Sequence, residues 1–531
     1  MSEPASAGRE AADWLAGATI YQIYLRSFRD ASGDGIGDLR GAIEKLPHVA
    51  ALGADAVWLS PFYASPMEDC GYDIADHCAV DPVCGSMADF EEFIAAAHGA
   101  GMKLVVDLVF SHTSDRHPWF AESAADRTNP KANWYVWADP RPDGTPPNNW
   151  LSAFGGSAWT WNRDREQYYL HDFLPAQPSL DFARAEVRSA LMEVARFWRA
   201  KGVDGFRLDT MNSYFHDRDL RDNPPAPATE SGLPRANPFA QQLHLYDRAQ
   251  RGDLAPLADF LSEIERMGAA TIVGRIGDRL KAERPGACSY TFVLPDTPFT
   301  APALAASLNR ALEASPDGRI CWALSNHDTI RQVSRFAHAH ADAERVATLC
   351  GALLAFLPGA ISLYQGEELG LDEARLTETQ LRDPYGIRFW PDIHGRDGCR
   401  TPMPWDSTGV HAGFSQADPW LPVQDRHVAR AVDRQAADPQ SVLSVYRQVV
   451  AARRRDPDRA RGHLVSCTAE GEVLLLESRG RAGSFIGAFN LGATMQALPA
   501  AGAFADETPG ARLIDGTLHL GPYEYAIMRR D

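Results

Sequence analysis

KLVVDLVF, residues 103–110, is an apolar run interrupted only by Lys103 and Asp107. It is short and rich in valine, which favours a buried strand over a helix. The preceding segment, DFEEFIAAAHGAG at 89–101, has apolar residues at helical spacing and ends on glycine. This pattern predicts a helix that ends just before the strand. A helix followed directly by a buried strand is the repeating unit of parallel α/β folds.

The same alternation of short apolar runs and helical segments recurs along the chain. Helical segments, such as RSALMEVARFWRAKG at 188–202, lie between most of the runs. Eight strands with intervening helices predict a parallel α/β architecture that closes into a (β/α)₈ (TIM) barrel. The runs predicted as strands are ATIYQIY (18–24), DAVWLS (55–60), KLVVDLVF (103–110), VDGFRLD (203–209), ATIVG (270–274), SYTFVL (289–294), RICWALS (319–325) and AISLYQ (360–365).

Two regions break the alternation. Residues 113–180 are rich in Pro, Asn, Gly and Trp and have no long helical period, which predicts a subdomain inserted after the third strand. After a predicted helix at 441–455, short strands separated by glycines predict a C-terminal antiparallel β-domain at 460–531. The barrel is then assigned to residues 1–112 and 181–459.

Composition limits the possible partners. The 531 residues carry a net charge of −18, which argues against binding to nucleic acid or to an anionic membrane and suits a neutral small-molecule substrate. No stretch approaches the ~20 apolar residues of a membrane span, and the N-terminal residues show no secretory signal. The eight cysteines are scattered without a CxxC pair. We therefore expect a cytoplasmic protein with reduced cysteines. Its oligomeric state is left open.

Polar residues follow most of the predicted strands. Active sites of parallel barrels lie at the carboxyl ends of the strands. One such residue alone is usually a helix cap or an ion-pair partner, but several at one face of a barrel predict a catalytic centre. The residues at the carboxyl ends of the strands are Asp107, Ser111 and His112 for the third strand, Arg207 and Asp209 for the fourth, Arg275 for the fifth, Asn326, His327 and Asp328 for the seventh, and Glu367 and Glu368 for the eighth.

Six short motifs resemble those of one enzyme family. DLVFSH (107–112), GFRLD (205–209) and SNHD (325–328) resemble motifs of the α-amylase superfamily of glycoside hydrolases, family 13. GYDI (71–74), YQGEELGL (364–371) and RDGCRTPMPW (396–405) are similar to its α-glucosidase and oligo-1,6-glucosidase branch. The resemblance covers almost the whole chain. It implies a retaining α-glucosidase that acts on the non-reducing end of short α-glucosides and also transfers glucosyl groups to acceptor alcohols or acids.

Retaining glycosidases use two carboxyl groups roughly 5 Å apart, a nucleophile and a general acid that later acts as base. By resemblance, Asp209 is the nucleophile, and Arg207 holds it ionised. Asp328 stabilises the positive charge that develops on the sugar. Thr210, directly after the nucleophile, implies a preference for α-1,4 over α-1,6 linkages.

The same resemblance assigns four residues to sugar binding. His112 and His327 are expected to hydrogen-bond sugar hydroxyls, and Asp73 and Arg400 to fix the non-reducing end. Elsewhere in a sequence, a histidine of this kind is more often a core residue with satisfied hydrogen bonds. Within these motifs we favour the role in binding.

Arg275 departs from the family pattern. The acid/base glutamate of the family ends the fifth strand in a pattern like VGE, and this chain has VGR at 273–275. Arginine stays protonated and cannot serve as a proton donor or acceptor near neutral pH. We favour a variant disabled at the acid/base position, because the other motifs are intact, over a divergent natural member. Two alternatives stay open: a sucrose- or phosphate-using glucosyltransferase in which Arg275 recruits an anion, and a glucoside-binding protein without turnover.

DASGDGIGD, residues 30–38, is a candidate metal loop. It resembles the first part of an EF-hand loop, with ligands expected from Asp30, Ser32, Asp34, the Ile36 carbonyl and Asp38. The glutamate usual at the twelfth position is missing, because Gly41 stands there. We predict a structural Ca²⁺ or Mg²⁺ ion, with an aspartate-rich turn that binds no ion as the alternative.

Overall fold

A computed structural model describes residues 13–225, 255–274, 288–291, 294–315, 318–337, 342–499, 503–504 and 511–530. Eight parallel strands form a closed barrel in the order β1-β8-β7-β6-β5-β4-β3-β2. The strands are β1 (Thr19–Ile23), β2 (Ala56–Leu59), β3 (Lys103–Leu108), β4 (Gly205–Leu208), β5 (Ala270–Gly274), β6 (Cys288–Thr291), β7 (Ile320–Ala323) and β8 (Ala360–Tyr364). All eight predicted strands are confirmed, and only β6 begins outside its predicted run, one residue early.

The barrel has two apolar layers because successive side chains of a strand point to opposite faces. Ile20, Trp58, Val105 and Ile272 belong to a cluster of alternate strand residues that fills the interior. Their neighbours along the strands join a larger cluster with the surrounding helices. Both faces of the strands are therefore buried, which explains why their sequences are continuous apolar runs.

Helices connect the strands and cover the barrel. The helix predicted at 89–101 is observed at Met87–Gly99 and begins with a capping box between Ser86 and Asp89. Among the described residues no helix is long and apolar enough to cross a membrane. The α-helices within the described ranges are Leu39–Leu52, Met87–Gly99, Pro118–Ala125, Ala185–Ala200, Ala255–Arg266, Ala301–Ala314, Gln332–Phe336, Ala343–Phe356, Pro384–Phe389, Asp425–Val428, Val432–Ala436, Val442–Arg455 and Pro457–Ala460.

Two smaller units accompany the barrel. After β3 the chain forms the helix Pro118–Ala125 and a three-stranded sheet of Trp137–Ala138, Trp159–Asn162 and Gln167–Leu170. At the C-terminus, His463–Glu470, Val473–Arg479, Ser484–Asn490, Tyr525–Arg530 and Ala503–Phe504 form a five-stranded sheet, and Gln496–Pro499, Thr517–Leu520 and Arg512–Ile514 form a three-stranded one. The pairings in both C-terminal sheets are antiparallel. The predicted fold class is confirmed.

Candidate active site

A cavity of about 380 Å³ lies at the carboxyl ends of the barrel strands. Its polar lining comes from residues that follow β3, β4 and β7 and from two loops. An aromatic wall of Phe154, Phe173 and Tyr385 forms another side. The polar and charged lining residues are Asp69, Tyr72, His112, Asp209, Thr210, Asp328 and Arg396.

Asp209 is held by a buried cation. The β-barrel register places Arg207 of β4 beside Asp107 of β3. The Arg207 guanidinium lies 2.6 Å from Asp209 Oδ1 and 3.2 Å from Asp107 Oδ1. One guanidinium is thus shared by two buried carboxyl groups, and a charge pair is stronger in such surroundings than in solvent. Asp209 faces the cavity, whereas Asp107 is fully buried behind it.

Asp107 anchors a chain of hydrogen bonds beneath the cavity. The Tyr72 hydroxyl donates to Asp107 Oδ2 at 2.9 Å, and the Trp58 indole N–H donates to Oδ1 at 3.1 Å. Burial raises the pKa of Asp107 to about 7, and the Arg207 cation acts in the opposite direction. The Tyr72 hydroxyl also lies 2.7 Å from Nε2 of His327, whose Nδ1 is 2.7 Å from Gln22 Nε2.

Asp328 also lines the cavity, and its carboxylate lies close to two arginines. Arg400 lies 2.7 Å from its Oδ1 and Arg396 3.4 Å from the same atom. Burial alone would raise the pKa of Asp328, but His327, Arg396, Arg400 and Arg207 outweigh burial and lower it. Asp328 is therefore ionised at neutral pH, as a group that stabilises developing positive charge must be.

The two histidines predicted to bind sugar differ in their position relative to the cavity. His112 lines the cavity, and its Nε2 lies 3.0 Å from the Tyr72 carbonyl and 3.1 Å from Gln177 Nε2. His327 is fully buried behind Tyr72 and stacks on its ring. His112 is thus accessible to a ligand, whereas His327 acts on the cavity through Tyr72 and Asp328.

Asp73 and Arg400, which the sequence assigns to sugar binding, lie outside the cavity lining. The Asp73 carboxylate accepts hydrogen bonds from Ser65 Oγ and from the backbone N–H groups of Glu68 and Asp69, so it supports the loop and does not line the cavity. Arg400 is fully buried beneath Asp328, where it also donates to the His327 carbonyl at 2.7 Å.

Asp69 and Arg396, which the sequence analysis did not single out, line the cavity. Arg396 donates to Asp69 Oδ1 at 2.6 Å and also pairs with Asp383 at 2.7 Å. Its guanidinium carbon lies 5.2 Å from the centre of the Phe154 ring, a cation–π contact that fixes its plane. Asp69 lies four positions before Asp73, just ahead of the GYDI motif. Arg396 lies four positions before Arg400 and is the first residue of the RDGCRTPMPW motif.

The other strand-end residues that the structure describes lie outside the cavity lining. Glu368 accepts a hydrogen bond from Tyr21 at 2.7 Å and lies 2.9 Å from His48 Nε2. Burial raises the pKa of Glu367 to about 8, although a hydrogen bond from Ser325 opposes this. These carboxyl groups belong to the barrel's internal polar network. Arg275 lies outside the described residues.

The loop at 30–38 satisfies its carboxylates internally. Asp30 accepts hydrogen bonds from the Gly33 and Gly35 N–H groups at 2.7 and 2.8 Å and from Ser415 Oγ at 2.6 Å. Asp38 caps the helix Leu39–Leu52 through Gly41 N at 2.7 Å. Within the described ranges no three His, Cys, Asp or Glu residues form a group that could hold a metal ion. In this conformation the carboxylates face N–H and O–H donors, a poor fit to a cation; the ion stays a prediction from the sequence.

The arrangement suits a neutral, polyhydroxylated ligand. Asp209 and Asp328 supply acceptors for hydroxyl protons, while Arg396 and His112 supply donors. The aromatic wall offers apolar faces against which a sugar ring can pack. An ionised carboxylate at the wall of a small cavity can also act as a nucleophile towards an acetal carbon.

The chain matches a family model described as the catalytic domain of alpha amylase over residues 22–274 and 278–462. The match includes every residue of the cavity lining. Its interruption at 275–277 coincides with Arg275.

Known proteins similar to the chain over most of its length include two hydrolases and a transfer enzyme. A probable α-glucosidase of Rhizobium meliloti (strain 1021) is 50% identical over 484 residues, covering 88% of each chain. An oligo-1,6-glucosidase of Heyndrickxia coagulans is 34% identical over 475 residues, which is 83% of this chain and 85% of the relative. The crystal structure of an α-glucosyl transfer enzyme, XgtA, has a TM-score of 0.90 and 44% identity, covering 98% of this chain and 99% of that one.

Proposed function

The chain belongs to the α-amylase family, and from this premise we propose that its cavity performs retaining α-glucosidase chemistry with Asp209 as the nucleophile. The observation that carries the proposal is the ion pair between Arg207 and Asp209 Oδ1 at 2.6 Å, at the wall of the cavity. The carboxylate form of a carboxyl group is a much stronger nucleophile than the neutral acid, and a neighbouring cation favours that form.

The proposed reaction has two covalent steps. Asp209 attacks C1 of the glucosyl group, the bond from C1 to the leaving group breaks, and a glucosyl ester forms. Asp328 stabilises the positive charge that develops on the ring in both steps. Water or another acceptor then attacks C1 and releases Asp209 as a carboxylate.

Arg275 leaves this mechanism without the family's acid and base. General acid–base catalysis contributes about 10²–10⁴-fold in rate, and a guanidinium supplies neither function. We therefore expect leaving groups that need a proton, such as the reducing-end glucose of maltose, to depart slowly. Fluoride, which needs no proton, should still leave and allow the ester at Asp209 to form.

The proposed substrates are short α-glucosides bound by their non-reducing end, with α-1,4 linkages preferred. The salt bridge between Asp69 and Arg396 offers hydrogen-bonding groups to terminal sugar hydroxyls. Thr210 lines the cavity beside the nucleophile and supports the linkage preference by resemblance. In the Arg275→Glu variant, kcat/KM for maltose should exceed that for isomaltose; the reverse order would assign the chain to α-1,6 linkages.

Glucosyl transfer is the second candidate, favoured by the similarity to the α-glucosyl transfer enzyme. Here an anionic acceptor or a phosphate would take the glucosyl group from Asp209, with Arg275 as its binding group. Glucose 1-phosphate formed from sucrose when phosphate is supplied would support this candidate. Maltose binding with no turnover of any donor would instead support the non-catalytic alternative.

We also propose that the protein works in the cytoplasm on small neutral molecules. Seven cysteines other than Cys288 are free thiols in the structure, and six of these seven are buried. Free thiols persist in a reducing compartment. The net charge of −18 disfavours nucleic acid as a partner.

Mass spectrometry after incubation with α-glucosyl fluoride tests the nucleophile directly. The protein should gain one glucosyl group, and Asp209→Asn should abolish the adduct because an amide cannot form the ester. Asp115→Asn, which changes an exposed carboxylate, is the matched control and should retain the adduct. An adduct on the Asp209→Asn protein would remove Asp209 from this role.

Arg275→Glu tests the assignment of the acid/base position. The variant should hydrolyse maltose about 10²–10⁴ times faster than the arginine protein at equal folded concentration. Equal rates would mean that the acid lies elsewhere in the chain.

A further inference from the structure

Two hydroxyl groups lie beside the nucleophile. Thr210 Oγ1 donates to Asp209 Oδ2 at 3.3 Å and is 2.9 Å from Ser111 Oγ. Ser111 Oγ is in turn 2.9 Å from His112 Nδ1. An unbroken line of hydrogen bonds thus joins His112 to Asp209, and both of these end residues line the cavity.

The backbone fixes the two hydroxyl groups in place. Thr210 adopts a left-handed conformation with φ 42° and ψ 42°, which is uncommon for a β-branched residue. The neighbouring Asp209 N–H donates to the Leu108 carbonyl at 3.1 Å, and the Leu180 N–H donates to the Ser111 carbonyl at 2.9 Å. The meeting of Ser111 and Thr210 is therefore set by the chain segments that leave β3 and β4.

Counting protons shows what this line can do. Asp209 Oδ1 is held by Arg207, whereas Oδ2 is held by the Thr210 hydroxyl. Each hydroxyl has one proton, so Thr210 can donate to Asp209 while its oxygen accepts from Ser111. Ser111 then accepts from Nδ1 of His112, and Nε2 of His112 accepts from Gln177 Nε2 at 3.1 Å. In this arrangement every proton of the line points towards the nucleophile, and the Tyr72 carbonyl faces an unprotonated Nε2 at 3.0 Å.

The other neutral tautomer of His112 reverses the line. Its Nε2–H donates to the Tyr72 carbonyl at 3.0 Å, Ser111 donates to Nδ1, and the Thr210 proton is drawn towards Ser111. The hydrogen bond to Asp209 Oδ2 is then lost. Because His112 lines the cavity, a ligand hydroxyl at its Nε2 can favour one direction over the other.

We propose that Ser111 and Thr210 are positioning residues that aim Oδ2 of Asp209 at the sugar carbon and connect its orientation to His112. This inference rests on the proposed role of Asp209 as the nucleophile. A carboxylate held at both oxygens has one orientation instead of a range, and small misplacements of reacting groups are costly in rate.

The test is the rate constant of fluoride release in the first turnover with α-glucosyl fluoride. Fluoride needs no proton and has no linkage, so neither Arg275 nor linkage preference affects the measurement. Thr210→Val removes the hydroxyl and keeps the shape, and Thr210→Ser keeps the hydroxyl. We expect Thr210→Val and Ser111→Ala each to lower the rate constant about tenfold with KM changed less than about twofold, and Thr210→Ser to stay near the parent rate.

The double variant and a control complete the design. If the two hydroxyls act as one unit, Ser111→Ala combined with Thr210→Val should be about as slow as either single variant. Thr113→Val is the matched control, because the Thr113 hydroxyl is buried nearby but contacts the Tyr135 hydroxyl at 2.7 Å. It should retain the parent rate.

Three results would overturn the inference: a Thr210→Ser protein as slow as Thr210→Val, unchanged rates in both single variants, or effects that multiply in the double variant. Asp209→Asn separates this failure from that of the proposed function. Loss of the glucosyl adduct in Asp209→Asn with full rates in the hydroxyl variants would overturn this inference alone. An adduct that persists in Asp209→Asn would overturn both.

Discussion

Replacing Arg207 by methionine should destabilise the fold and do so increasingly as pH rises. Arg207 is 3% exposed and is the cation that Asp107 and Asp209 share. Methionine preserves much of the length but carries no charge. Removing one partner of a buried ion pair costs about 3–5 kcal/mol. We expect the lower end of this range, because Asp107 keeps its hydrogen bonds from Tyr72 and Trp58.

The pH dependence follows from the carboxylates that remain. Burial raises the pKa of Asp107 to about 7 even with Arg207 present, and loss of the cation raises it further. A carboxyl group whose pKa is raised in the folded state lowers stability as pH rises from its unfolded pKa, about 4, through its folded pKa. The stability difference between parent and variant should therefore be small at pH 5 and larger at pH 8.

Urea denaturation at pH 5 and pH 8 measures this difference. Arg453→Met is the matched control, since Arg453 is equally buried but its guanidinium donates to the Ala355 and Leu357 carbonyls, at 3.1 and 2.6 Å, in place of a carboxylate. Arg453→Met should lower the free energy of unfolding by a similar amount at pH 5 and at pH 8. If Arg207→Met loses the same unfolding free energy at both pH values, as expected for Arg453→Met, then Arg207 is not a counter-charge shared by the two carboxyl groups.

Three further predictions concern loop residues outside the barrel strands. Asp69→Asn should raise KM for α-glucosyl fluoride about tenfold by weakening the pair with Arg396, whereas unchanged kinetics would exclude Asp69 from the sugar. Asp73→Ala should lower the urea midpoint more than it changes KM, because its carboxylate supports backbone N–H groups; a kinetic effect alone would return Asp73 to the binding site. If an ion occupies the loop at 30–38, exhaustive chelation with EDTA should lower Tm, and an unchanged Tm would leave the loop as a turn held by its own hydrogen bonds.

The fold was predictable because its signal is local and repeated. Each barrel strand is a short apolar run, and the count of eight such runs, separated by helical segments, pointed to a closed barrel. Helix ends were less accurate, as in the helix predicted at 89–101 that begins at Met87. There the Ser86 capping box, which the periodicity argument did not use, sets the first residue.

The residues after the strands were predictable for the same reason, because the end of a strand fixes where its next side chains point. Arg207 and Asp209 are two positions apart on β4 and at its end, so they share a face. His112 and Asp328 follow β3 and β7 and reach the same cavity. Glu367 and Glu368 also follow a strand, yet they turn into the core, where Ser325 and Tyr21 supply their hydrogen bonds.

Loop residues could not be placed, because no period governs which side chain of a loop faces a ligand. The loop that carries Asp69 and Asp73 bends at Cys70 and Gly71, with φ values of 53° and 105°. These bends turn Asp69 towards the cavity and Asp73 towards the loop's own N–H groups. A spacing of four that would put both carboxylates on one face of a helix puts them on different sides here.

Arg400 and Arg396 both reach Oδ1 of Asp328, but they reach it from different sides. Arg400 is fully buried and reaches Oδ1 from beneath, whereas Arg396 reaches the same atom from the cavity wall. A ligand that binds in the cavity meets Arg396 and can compete for its donors, but it cannot displace Arg400. The ionised state of Asp328 is therefore supported by a cation outside the cavity lining, while Arg396, paired also with Asp69 and Asp383, lies in the lining itself.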